Sequence, residues 1–116
     1  MKDRATIAAT RERFREAAEL YAQIAQHEPD GDWLQRAGDA ARRGGLIEKA
    51  LEHLSAACSM YAARGFDQKA LALAKVVLQL DPAHEGVHAL MRYLDSAAHT
   101  ISTRHQISSR HTIPTR

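Results

Sequence analysis

The sequence predicts an all-α chain: antiparallel helical hairpins, about five helices, stacked into a small solenoid. Three observations carry this. Of the 116 residues, 45% are apolar but only 5% aromatic, so the core must be built from Ala and Leu, and Ala loses no side-chain entropy in a helix. Apolar residues recur at steps of three and four. Gly and Pro are few, and β-branched runs are nearly absent before residue 100.

The first helix is expected from about Asp3 to His27, with Ile7, Thr10, Phe14, Ala17, Tyr21 and Ile24 in one narrow stripe. Glu28-Pro29-Asp30-Gly31 ends it, because Pro29 restricts the preceding residue and Gly31 permits a turn. A second helix covers roughly Asp32 to Arg43, with Leu34, Ala37 and Ala41 inward, and Gly44-Gly45 stops it.

The third, Leu46 to Arg64, buries Ile47, Ala50, Leu51, Leu54, Ala57, Cys58 and Tyr61 before Gly65 breaks the chain. Asp67 is the expected N-cap of a fourth helix, Gln68 to Leu80, with Phe66 stapled onto Leu71. That helix buries Ala70, Leu71, Ala74, Val77 and Leu78. Asp81-Pro82 reads as a cap with proline at the first position of a fifth helix, which runs to about Ala98 and carries Val87, Leu90, Met91 and Leu94. Connections this short make successive helices antiparallel. Small residues at Gly38, Ala50, Ala57 and Ala70 let their axes approach.

Residues 1–98 therefore form one helical domain, and 99–116 a separate basic tail. Three of the 16 Lys/Arg, but none of the 14 Asp/Glu, lie in that tail. It reads HTISTR, HQISSR, HTIPTR, three copies of H-x-I-[SP]-[ST]-R. The unit is polar and β-branched, too weakly apolar to form a core, so disorder is expected. Extended, it turns Ile101, Ile107 and Ile113 the same way, beside Arg104, Arg110 and Arg116. This suits a repeated short linear motif, added as a strand to a partner's sheet edge. Neutral duplication, nucleic-acid contact and phosphorylation compete with that reading. Three arginines without aromatics make a poor nucleic-acid footprint.

Cys58 is the sole cysteine, which fits a reducing compartment. No apolar h-region or membrane-length segment appears, so a cytoplasmic location without membrane contact is expected. His84-Glu85-Gly86-Val87-His88 satisfies H-E-x-x-H, the helix of zinc hydrolases. A third ligand is missing: Asp95 lies ~10 Å beyond His88 at ~1.5 Å per residue. His84 and His88 remain the only metal candidates, and neither an enzyme nor a cofactor is expected. Glu85 has a plain role at a helix N-terminus.

Leu34, Ala37, Gly38 and Ala41 fall in the W-x2-L-G-x2-Y places, and Ala50 and Leu54 in the A-x3-F places, of tetratricopeptide helix pairs. Ala17, Tyr21 and Pro29 match one such repeat, and Ala70 and Pro82, after Leu54, Ala57, Cys58 and Tyr61, match another. Over about residues 13–98 the chain resembles a tetratricopeptide-repeat protein. Ala50 and Ala70 are only twenty residues apart, against a period of ~34. The third helix thus serves two units, which is more similar to the variant solenoids of SNAP-type adaptors. The stretch from Gly65 to Met91 also resembles repeat modules of bacterial regulatory proteins.

The resemblance implies an adaptor that binds a protein, or a peptide in its helical groove, with a second partner on the tail. The groove of such proteins is lined by the first helix of each pair. Carried over, this makes Asp32, Gln35, Asp39, Arg42 and Arg43 the contact residues. Trp33 is either a partner anchor or packing against the first helix. Ile7 and Phe14 would leave an apolar edge suited to self-association. A zinc-dependent hydrolase or a nucleic-acid accessory protein is the alternative.

Overall fold

The computed structural model describes residues 1–96; the tail motif, with Ile101, Arg104, Ile107, Arg110, Ile113 and Arg116, lies outside the described residues. Those residues are all-helical: α1 (Lys2–Thr10), α2 (Phe14–His27), α3 (Gly31–Arg43), α4 (Ile47–Ala63) and α5 (Asp67–Leu80), then α6 over residues 85–96. From α1 to α5 each helix packs on its neighbour in sequence, and the short turns make neighbours antiparallel. Side chains of α3 and α5 share one groove, those of α2 and α4 another and those of α4 and α6 a third, so odd- and even-numbered helices form two layers.

Small side chains make this stacking possible. Ala17, Ala37, Ala41, Ala50, Ala57, Ala70 and Ala74 are completely buried in one continuous core, with Leu54, Val77, Val87 and Cys58 as its larger members. At Gly38 α3 lies directly on α4: a methyl group there would sit 2.5 Å from Leu54 Cγ.

Three of the turns share one hydrogen-bond pattern, the paired 6→1 and 5→2 bonds of a Schellman motif. Leu46 N–H donates to the Ala41 carbonyl and Gly45 to Arg42 after α3. Phe66 donates to Tyr61 and Gly65 to Ala62 after α4. Gly45 and Gly65 supply the left-handed backbone, with φ of +80° and +83°.

The third copy divides the single first helix expected from the sequence. Arg13 N–H donates to the Ala8 carbonyl and Glu12 to Ala9, with Glu12 itself left-handed at φ 57°. The chain reverses there because that folds Ala5 and Ala8 into the core against α2. Ile7 and Thr10, at one end of that stripe, are exposed; Ile7, named for an apolar edge, shows 51% of its surface.

Two caps also differ from expectation. Phe66, not Asp67, holds the N-cap place of α5 without a side-chain bond, and its ring stands edge-on to Tyr61. Pro82 precedes α6 rather than opening it. Asp81 Oδ1 accepts the Ala83 N–H at 3.2 Å, and His84 Nδ1 accepts the Val87 N–H at 3.1 Å. His84 is the cap. Ile47 is also more open than expected, at 40%.

Side chains from one turn to another brace the stack. Arg15 Nε donates to the Gly44 carbonyl at 2.9 Å, and Arg64 Nη2 to that of Pro29 at 3.0 Å. Lys2 pairs with Glu28 at 2.9 Å, closing α1 onto the end of α2.

Candidate functional site

The α3 helix opens with Asp30, whose carboxylate accepts the Asp32 N–H at 2.8 Å and satisfies one of the unpaired donors of the first turn. Gly31 follows because the Tyr61 ring of α4 lies where its side chain would be; a Cβ there would be 2.7 Å from the ring. Tyr61 is buried in the core, yet its hydroxyl emerges beside α3 and donates to Asp32 Oδ1 at 2.5 Å. Gln35 Oε1, 3.0 Å from the Tyr61 hydroxyl oxygen, is the second polar neighbour. Burial, then the Asp32 carboxylate that accepts its hydrogen bond, push the Tyr61 hydroxyl far above its ordinary range, so it stays neutral.

Beside this triad a groove of about 300 Å³ opens between α3 and α5, with Leu73 and Val76 as its apolar wall and Lys69 at its rim. Lys69 Nζ lies 5.5 Å from the Tyr61 ring and 5.4 Å from that of Phe66. Among the described residues no cationic group lies within ion-pair distance of Asp32.

On the other flank of α3, Arg36, Asp39 and Arg43 line a smaller groove floored by Phe14 and Tyr21. Arg43 stands over the Phe14 ring at 5.7 Å, and Asp39 pairs with the exposed Arg42 at 3.7 Å. Trp33 is half-buried, 6.1 Å from Tyr21, with Lys2 and Arg36 over its ring at 5.1 and 4.7 Å. Its packing is against the middle of α2 and the start of α1.

The residues expected on one contact surface thus divide. Asp32 and Gln35 belong to the α5 groove, Asp39 and Arg43 to the α1 groove, Arg42 to the rim, and Trp33 to the packing between. The residues that reasoning from sequence missed are Arg36, the Tyr61 hydroxyl, and the α5 stripe Lys69, Leu73 and Val76. A signal existed for the last, since they recur at steps of four and three on α5, beside the Ala70, Ala74 and Val77 stripe.

His84 and His88 are both engaged in local backbone contacts. His84 Nδ1 accepts from Val87, so the neutral ring carries its proton on Nε2, and His88 Nε2 donates to the Pro82 carbonyl at 2.7 Å. No three His, Cys, Asp or Glu side chains come together as a metal-binding group among the described residues. The Cys58 thiol is fully buried, and burial pushes it up to about 11. No helix of the described residues is long and apolar enough to cross a membrane.

Compared with known proteins, the chain matches no family model, no curated protein and no solved structure.

Proposed function

We propose that the protein is a binding adaptor whose helical surface receives an extended peptide in the α3–α5 groove, without turnover. The observation that carries this is the composition of that groove: an exposed carboxylate held by Tyr61, an amide, and an apolar wall of Leu73 and Val76. Convergent polar groups beside an apolar wall are the usual make-up of a recognition groove. The likeness of Leu34, Ala37, Gly38, Ala41, Ala50 and Leu54 to tetratricopeptide spacing supports the same reading. The preferred ligand carries a branched apolar side chain for Leu73 and Val76 and a cation for Asp32.

Selection of displayed peptides against the full chain tests this. Selected peptides should combine those two features, and Asp32→Arg or Val76→Asp should weaken them at least about tenfold, or 1.4 kcal/mol. Lys49→Ala, on the opposite layer, should leave them unchanged. Peptides that bind all three variants equally would remove the groove from the account. A second partner on the tail motif belongs to the same proposal.

A further inference from the structure

The α3–α5 groove and the triplicated tail are complementary in chemistry. Each H-x-I-[SP]-[ST]-R unit offers one branched apolar residue and, three positions on, one guanidinium. The groove offers an apolar wall and the Asp32 carboxylate, which no cation among the described residues reaches at ion-pair distance, with Lys69 at the rim. We propose that a unit of this chain's own tail occupies the groove in cis. Its Ile lies on Leu73 and Val76, and its Arg pairs with Asp32. This inference rests on the reading of that groove as a peptide site.

Two of the other grooves carry more cations than acids: Arg36 and Arg43 against Asp39 on the far side of α3, and Arg15 and Lys49 against Glu19 between α2 and α4. Near α1 the Glu28 carboxylate is already paired with Lys2, which leaves Asp3 as that groove's other acid. The crevice of Ser55, Ser59 and His84 has no carboxylate.

Geometry favours the same groove. The start of α3, the end of α4 and the start of α5 lie at one end of the stack. The four residues 81–84 reverse the chain after α5, so α6 runs back to that end and delivers Ser96 there. At ~3.3 Å per extended residue, Ile101 reaches ~17 Å from Ser96 and Ile107 ~36 Å. Neighbouring helices stand 8–10 Å apart, so the first two units span the distance across α5. Tethering holds each unit at an effective concentration on the order of millimolar, and three copies multiply the chance that one is seated. A foreign peptide must displace that unit. The tail unit seated in the groove then sets the threshold for binding there.

Amide shifts of the isotope-labelled full chain test this, compared with the variant Ile101→Ser, Ile107→Ser, Ile113→Ser, which keeps every charge. The expected result is movement at Gln35, Lys69, Leu73 and Val76, reversed by adding a synthetic peptide of residues 99–116. That peptide should bind the variant about tenfold or more tighter than the unaltered chain, whose groove is filled. Asp32→Asn in the unaltered chain should move the same amides. Unmoved groove amides, or movement confined to Ala22, Lys49 and His53, would overturn the proposal. So would movement that vanishes on dilution, since the unit would then come from a second copy. Peptides selected by display separate the two failures. If they bind the groove while the tail does not, only the tail inference falls; if neither binds, the groove reading falls too.

Discussion

Glu12 holds a backbone conformation that the two equivalent turns give to glycine. A side chain in the left-handed region costs about 1–2 kcal/mol, which the burial of Ala5 and Ala8 on α2 offsets. Glu12→Gly should therefore stabilise the fold by about 1 kcal/mol, a rise of roughly 5 °C in Tm by thermal denaturation. Gly38 predicts the opposite sign. Its missing methyl is the space occupied by Leu54, and Gly38→Ala should cost about 1–3 kcal/mol in urea unfolding despite the higher helix propensity of Ala. The two glycine turns were legible because glycine marks them in sequence. The turn at Glu12 was not, because nothing between Thr10 and Phe14 differs in type from an exposed helical stretch. Tyr61 was legible as core by its spacing, but its hydroxyl's partners on α3 were not, since they depend on how far α4 rises against α3.

At the scale of the element, the histidine pair of α6 has a complete local role. His84 substitutes for the usual Ser, Thr, Asp or Asn cap, and His88 returns to the carbonyl of Pro82 from one turn on. His84→Ala should cost about 1 kcal/mol and raise hydrogen exchange at Val87 and His88, whereas His84→Asn should restore most of the protection. Equal exchange in the two variants would remove the cap from the account. Helix type and most helix ends were readable from periodicity, glycine and proline. Which stripe of α5 faces a groove was not, because both of its stripes satisfy the same spacing and only the pairing with α3 distinguishes them. That is why Asp32 and Gln35 were found while Lys69, Leu73 and Val76 were not.

Across the whole molecule, the two layers meet along crevices that differ in charge and in solvent. His53 sits in the crevice between α2 and α4 beside Arg15 and Lys49, with Glu19 across it. Burial is the main cause that lowers its pKa; Lys49 adds to this and neighbouring Glu52 opposes it. The unfolded chain therefore takes up a proton that the fold resists. Stability is intact above the unfolded value of ~6.5 and falls as pH drops below it toward the folded value. His53→Gln should flatten that part of the stability-against-pH curve, measured by urea unfolding at successive pH values.

The shared helix α4 has one more consequence. Because α4 is walled by α3 on one flank and α5 on the other, the described residues from α3 to α5 are packed as one block. A protease that nicks the glycine turns should leave fragments that migrate together until denaturant separates them.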